Sequence, residues 1–217
     1  MSHSDLSSLD PADYTESNRQ TYDRIARRYS DHQIQLASEK EYPWTEVENG
    51  LAASLPRGAI VGDLGCGPAH DGLRLADKGF QVVGVDLSAG MLRVAAEHLG
   101  GHLAQGDLRA LPLVSGCLDG IWSVASMLHV PERETLIVLH EFRRVMKPSG
   151  SLALVTALGD GTAHESVPYV SDESRWFVYR SRASLMTQMR DAGFVVQIEE
   201  ETQGSRRWWT VLAASCP

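Results

Sequence analysis

Residues 61–68 read Val61-Gly62-Asp63-Leu64-Gly65-Cys66-Gly67-Pro68, an apolar strand running directly into a glycine-rich turn. Gly65 and Gly67 let the main chain turn sharply and approach a ligand where a Cβ would obstruct. Outward from this stretch, short apolar segments alternate with helical ones. Strands are expected at 59–64, 81–86, 102–105, 119–125 and 151–156, and helices at 69–78, 88–99 (with Ser88 as N-cap), 131–146 and 182–192. Segments that are apolar throughout, such as Val82-Val83-Gly84-Val85, are expected where helices cover both faces of a sheet. Alternation at this spacing implies a parallel, doubly wound sheet. The end of the chain differs. Segments 194–200 and 207–213 flank a turn around Gln203-Gly204-Ser205, so they run antiparallel and close the sheet as a hairpin. The expected fold is therefore α/β, a Rossmann-like, doubly wound, mostly parallel seven-stranded sheet with a C-terminal antiparallel hairpin.

Ahead of this core, spanning 58–217, lies a helical appendage. Residues 1–9 are polar and read as a disordered tail. Asp10-Pro11 supplies a plausible N-cap and first helical position, and Tyr22, Ile25 and Tyr29 recur on one helix face as far as about Ser30. Thr45 and Glu48 form a capping-box pattern that opens a second helix, striped by Val47, Leu51 and Leu55. Residues 10–57 are thus expected to form an N-terminal helical lid. Segment 158–181 is too long for a plain connection and reads as an acceptor-side loop.

Composition narrows the function classes. With 20 Lys+Arg against 28 Asp+Glu, the 217-residue chain has a formal net charge of −8 and no clustered basic face, so nucleic acid is disfavoured as a partner. No apolar run approaches the roughly 20 residues of a membrane span. The first residues lack an apolar signal core, which makes a cytoplasmic location the expectation. Cys66, Cys117 and Cys216 form no CxxC pair, which argues against a disulfide framework or a metal site. A monomer or homodimer is expected.

Ligands of open α/β sheets bind beyond the carboxyl ends of the strands. The first strand ends in Asp63, Gly65 and Gly67, the second in Asp86, and the third in Asp107-Leu108. A carboxylate roughly 20 residues beyond the first strand is where both hydroxyls of a ribose are held. Asp107 beside Leu108 suits an adenine, accepting from its amine and packing on its face. Read singly, a Gly-x-Gly is a tight turn and a strand-end Asp a helix cap; three successive strand ends in this order point to a cofactor. The dinucleotide fingerprint is incomplete, because His70 stands where the third glycine belongs, and there is no Gly-Lys-[Ser/Thr] phosphate loop. An adenosine with a non-phosphate tail fits, as in S-adenosylmethionine.

Here the chain resembles the class I S-adenosylmethionine-dependent methyltransferases of the small-molecule type. Residues 61–67 are similar to that family's first motif, Val83-Gly-Val-Asp-Leu-Ser88 to its strand-two acidic motif, and Gly106-Asp107-Leu108 to its adenine motif. Leu139-His-Glu-Phe-Arg-Arg-Val-Met-Lys-Pro-Ser-Gly150 is similar to its helix-to-strand signature. The sequence departs from the family at Ala69 and Ser149, where glycine is common. The resemblance implies S-adenosylmethionine as cofactor, held by Asp63, Gly65, Gly67, Asp86, Leu87, Met91, Asp107, Leu108, Val124 and Tyr29.

Methyl transfer from a sulfonium is an in-line displacement, so positioning and exclusion of water supply most of the rate. A base helps when the acceptor is a hydroxyl or protonated amine. His129, in Ala125-Ser-Met-Leu-His-Val130 after the fourth strand, is the candidate; the alternative is a histidine that merely anchors a loop. Tyr22, Arg175, Trp176 and Tyr179 are candidate acceptor contacts, the last three in Arg175-Trp-Phe-Val-Tyr-Arg180. The segment after the fourth strand lacks the [Asn/Asp]-Pro-Pro-aromatic signature of base-amine methylation and the Pro-Cys of cytosine chemistry. The expectation is an enzyme that methylates O or N of a small-molecule acceptor. A non-catalytic cofactor-binding module is the competing class, and a nicotinamide oxidoreductase is disfavoured by the missing glycine.

Overall fold

The structure, a computed structural model, describes residues 11–100, 102–204 and 206–216; the expected tail at 1–9 and the expected N-cap Asp10 lie outside them. Two helices come first, α1 (Pro11–Glu39) and α2 (Thr45–Ser54). Four strands and two helices then alternate: β1 (Ile60–Leu64), α3 (His70–Asp77), β2 (Gln81–Asp86), α4 (Ala89–Leu99), β3 (Leu103–Gln105) and β4 (Leu118–Val124). They are followed by α5 (Thr135–Val145), β5 (Met146–Ala157), β6 (Gly161–Ser166), β7 (Ser174–Tyr179), α6 (Arg182–Asp191), β8 (Phe194–Gln203) and β9 (Arg207–Ser215).

The main sheet has seven strands in the order β3-β2-β1-β4-β5-β9-β8. The pairs from β3 to β5 are parallel, whereas β9 runs antiparallel to both β5 and β8. The chain winds from β1 out to β3, then returns to the other side of β1, so the switch point falls between β1 and β4. Both faces are covered. Leu64, Ile121, Phe142, Leu154 and Trp209 pack on one side, and Val61, Val82, Trp122, Ala153 and Leu212 on the other. Alternate residues of β5 enter different cores, which explains why these strands are apolar at nearly every position. Trp208 and Trp209 likewise turn to opposite faces.

Several boundaries differ from the sequence expectations, each for a physical reason. Helix α1 continues to Glu39, well past Ser30, as an exposed extension of its own hydrogen-bonded ladder. The capping box at Thr45 does not form: its hydroxyl donates to the Tyr42 carbonyl (2.8 Å). Glu48 is instead buried and taken by Arg74 (2.7 Å) and Lys78 (3.1 Å), because a carboxylate removed from water needs a cation. Helix α5 begins at Thr135 after a 3₁₀ turn, and β5 starts directly at Met146. Segment 158–181 is not a loop: β6 and β7 pair antiparallel over six positions, from Gly161↔Tyr179 to Ser166↔Ser174.

The two departures from the family's glycines keep a glycine-like backbone, with φ of 63° at Ala69 and 60° at Ser149. The left-handed conformation costs an L residue roughly 1–2 kcal/mol. Ala69 is fully buried, so its methyl contacts offset part of that strain. Ser149 is exposed and has no such compensation. Ser149→Gly is therefore expected to stabilise the protein by about 0.5–1 kcal/mol after the entropy of glycine is subtracted. That corresponds to a midpoint about 1–4 °C higher in thermal unfolding followed by circular dichroism. An unchanged or lower midpoint would contradict the strain.

Candidate functional site

The turn after β1 owes its shape to Gly65, whose φ is +83° and whose added Cβ would lie 2.2 Å from the Ser126 Cβ. No L side chain fits there on either ground. Gly67 (φ +53°) faces open space instead, with nothing within 4 Å of a built Cβ. The turn is tied to β2 by Gly65 N–H and Cys66 N–H, both donating to the Val85 carbonyl (2.7 and 3.0 Å). Asp86 completes the tie. One oxygen accepts from Gly67 N–H and the other from Ser88 N–H, each at 2.8 Å, and the Leu87 main chain also bonds the carboxylate. Ser88 caps α4 by accepting from Met91 N–H (3.0 Å), as the sequence implies.

Asp63 is buried, and its Oδ2 has no hydrogen-bond partner. Burial pushes its carboxyl well above the usual range, and the charges of Asp71 and Asp86 add to the shift. Asp71 accepts from the Tyr42 hydroxyl (2.6 Å) and the Trp122 indole (3.0 Å). Asp107 accepts from Arg109 N–H, Nε and Nη2; burial raises its carboxyl, but these bonds outweigh it and hold the group below its ordinary value. Leu108 is half-buried against the core at the end of β3. Leu87 and Val124 are half-buried at the ends of β2 and β4. Cys66 is buried, with its thiol pushed up by desolvation, in keeping with a small filler.

Helix α1 closes over these strand ends. Asp23 accepts from both the Ser88 hydroxyl and Gly90 N–H (2.7 Å each), so its carboxylate meets the N-terminus of α4. A Cβ at Gly90 would come within 2.6 Å of the Asp23 main chain, so the two helices touch backbone to backbone. Met91 packs with Ala26, Tyr22 and Tyr29 beneath the helix. On the far side, the Asn18 amide bridges β7: Trp176 N–H donates to Oδ1 (2.7 Å) and Nδ2 donates to the Trp176 carbonyl (2.9 Å).

His129 follows β4 in a short 3₁₀ turn. Its Nδ1 lies 2.8 Å from the Trp176 carbonyl, which can only accept, and 3.2 Å from Asn18 Nδ2, which can only donate; the shorter contact assigns the proton to Nδ1. Nε2 is then the acceptor, 2.7 Å from the Tyr22 hydroxyl, and Arg175 Nη1 donates to that same oxygen (3.3 Å). Desolvation pushes the imidazole down to about 3, with the nearby Arg175, Arg206 and Arg180 contributing, so the ring is neutral at pH 7. Arg180, itself buried, fixes the turn by donating to the Val130 carbonyl (2.5 Å) and the Thr135 hydroxyl (2.7 Å).

The structure thus brings Tyr22, Tyr29, Met91, His129 and Arg175 together. Trp176 joins through its main chain only; strand alternation turns its indole away, onto His164 (ring centroids 4.4 Å). Tyr179 shares the face of Arg175 and donates to Glu165. Phe177, within the aromatic stretch 175–180, completes the surroundings with Arg206, Tyr169, Asn18 and Asp23, and these last four escaped the sequence reading. Asn18 was within reach of it, because Asn18, Tyr22, Ile25 and Tyr29 follow steps of four, three and four along one helix face.

Comparison with known proteins agrees with this architecture. The sequence profile of a family described as "Methyltransferase domain" matches residues 61–150, from β1 into β5. A malonyl-[acyl-carrier protein] O-methyltransferase of Enterobacter lignolyticus is 35% identical over 115 residues, covering 52% of this chain and 45% of that protein. A demethylmenaquinone methyltransferase of Desulfitobacterium hafniense is 30% identical over 157 residues, 67% of this chain and 59% of the relative. The chain spans about half the length of the curated relatives it matches. In structure, the 1,6-didemethyltoxoflavin-N1-methyltransferase of Burkholderia thailandensis, solved with bound 1,6-didemethyltoxoflavin and S-adenosylhomocysteine, superposes with a TM-score of 0.71. That likeness covers 98% of this chain and 93% of the other at 16% identity, a likeness of fold. Residues 61–150 thus carry a methyltransferase domain, and the strand order with its closing hairpin is that of the class I S-adenosylmethionine-dependent methyltransferase fold.

Proposed function

We propose that the chain moves a methyl group from S-adenosylmethionine to an oxygen or nitrogen of a small-molecule acceptor held under α1. The observation that carries this reading is the hydrogen-bonded series Arg175–Tyr22–His129–Trp176, enclosed between α1, the turn after β4 and the β6–β7 hairpin. It adjoins strand ends suited to the cofactor. The remaining acceptor capacity of Asp86 suits a ribose hydroxyl, and the partnerless Asp63 Oδ2 matches a cationic or N–H-bearing group. The space beside Gly67 admits a ligand against the main chain. Asp107, Leu108, Leu87, Met91, Val124 and Tyr29 would line the rest of the cofactor. No phosphate cradle accompanies them, which favours a sulfonium nucleoside over a dinucleotide.

The cofactor supplies a methyl group already activated on sulfur. What remains for the protein is alignment, dryness and the fate of one proton. Helix α1 and the hairpin exclude water; residues 10–57 act as the lid and residues 158–181 as the acceptor-side wall. Tyr22 orients the acceptor through its hydroxyl oxygen. When a hydroxyl or ammonium acceptor is methylated, its proton passes to the Tyr22 oxygen as the tyrosine proton moves to His129 Nε2. The Trp176 carbonyl holds Nδ1–H and steadies the imidazolium that results. A net charge of −8 supports a small acceptor over nucleic acid.

Asp86→Ala should weaken S-adenosylmethionine binding at least about tenfold, or about 1.4 kcal/mol, in isothermal titration calorimetry. Affinity within twofold of the parent removes the ribose assignment. His129 also fixes a pH signature. Its folded pKa, about 3, lies below that of the unfolded chain, so the unfolded state takes up a proton the native state refuses. The associated stability is complete above pH ~6.5, falls by up to about 1.4 kcal/mol per pH unit on acidification, and levels off near pH 3. Urea unfolding at pH 7 and pH 4 should therefore reveal a loss about 2–3 kcal/mol smaller in His129→Gln than in the parent. Equal losses in the two proteins would mean that His129 titrates as an ordinary surface histidine.

A further inference from the structure

Three arginines surround His129, and they are not equivalent. Arg180 is satisfied by two carbonyls and the Thr135 hydroxyl. Arg206 lies over the Phe177 ring (4.2 Å) and pairs with Glu165 (2.9 Å). Arg175 lies against the same ring (5.2 Å) but meets no carboxylate among the described residues. Its Nη1 donates to Tyr22, while its Nε is buried and has no partner. Buried guanidinium groups are normally paired, because the lost hydration must be replaced. A second buried group nearby shares the condition: the Tyr169 hydroxyl, in the turn between β6 and β7, also has no partner. Tyr169 and Arg175 are close enough to act on one another electrostatically, and Tyr169 packs in the same cluster as Tyr22 and Tyr29. Two buried donors with nothing to donate to thus converge on the acceptor side of the site.

The chemistry that satisfies both is an anion. A carboxylate presents two oxygens at the spacing of the Nε and Nη2 edge of a guanidinium, and a tyrosine hydroxyl can add a third hydrogen bond. We propose that Arg175 and Tyr169 form a subsite for a carboxylate of the methyl acceptor, so that the acceptor is an organic acid. This rests on the methyl-transfer reading above and narrows its substrate class. The cofactor carries a carboxylate too. The acceptor's is favoured because both donors belong to the β6–β7 hairpin, whereas the cofactor elements are the ends of β1 to β4. The flanking rings of Tyr22 and Phe177 suit an acid with an apolar or aromatic body.

The test titrates the full chain, saturated with S-adenosylhomocysteine, with benzoate and with its neutral counterpart benzamide. Benzoate should bind at least about tenfold tighter than benzamide, and Arg175→Gln should abolish that preference. Tyr169→Phe and Arg175→Lys should each retain part of it, the lysine keeping charge without the fork. Arg175→Gln should bind S-adenosylhomocysteine within about twofold of the parent. Equal binding of the two probes to the parent overturns the subsite. So does an Arg175→Gln variant that loses about tenfold in S-adenosylhomocysteine affinity while binding 5′-methylthioadenosine normally, since the fork then holds the cofactor's carboxylate. Failure to bind S-adenosylhomocysteine at all sinks the methyl-transfer reading instead. The benzoate preference of the unliganded chain, and its loss in Arg175→Gln, would then decide the subsite separately.

Discussion

Asp86 makes the glycine turn, the end of β2 and the start of α4 into one body. Each carboxylate oxygen holds a main-chain N–H, that of Gly67 on one side and of Ser88 on the other. Ser88 in turn caps α4, and its hydroxyl donates to Asp23 of α1. One strand-end carboxylate therefore fixes the relative positions of three elements and, through a single hydroxyl, the register of the helix that covers them. Hydrogen bonds to an ionised group are about twice as strong as neutral ones, and they lie here where burial excludes competing water. The space between glycine turn, α4 and α1 inherits its shape from that arrangement.

The electrostatics of the site run against the composition of the chain. The protein carries an excess of acidic groups, and at the end of β1 burial, with the charges of Asp71 and Asp86 adding to it, raises the proton affinity of Asp63. Across the site, burial depresses His129, and the charges of Arg175, Arg206 and Arg180 add to it. Acidic side chains thus gather at one end of the site and arginines at the other. Under the readings proposed above, such an arrangement would orient a cationic donor and an anionic acceptor along one line before any specific contact forms. It also explains why His129, beside a tyrosine hydroxyl, stays neutral: protonation would add a fourth positive charge to a desolvated cluster.

Much of the core was legible because its residues obey simple periodicities. Strand β2 was read to the residue, since a wholly apolar run ending in Asp86 allows little else, and β8 and β9 announce themselves by the Gly-containing turn between them. The hairpin at 158–181 escaped because Gly161-Thr-Ala-His-Glu-Ser166 lacks both alternation and apolar weight; pairing with β7 decides its conformation, not propensity. Glu48 misled for a related reason. Its spacing from Thr45 is that of a capping box, but Arg74, 26 positions later, claims the carboxylate. In the site, residue types could be nominated but not their orientation. Trp176 and Arg175 are neighbours in sequence and face opposite ways, and the isolation of Arg175 depends on what every surrounding element withholds.

The amide of Asn18 carries a last consequence. By offering both a donor and an acceptor to Trp176 it imitates one peptide unit of a missing strand, and Thr21 adds a bond to the Ser174 carbonyl (3.0 Å). A helix thereby finishes the free border of a two-stranded sheet. Unfinished borders of this kind recruit other chains into edge-to-edge association. Helix α1 thus finishes a strand border as well as covering the strand ends: under the proposed lid role, any opening wide enough to release a product would also bare that border, which favours brief openings over lasting ones.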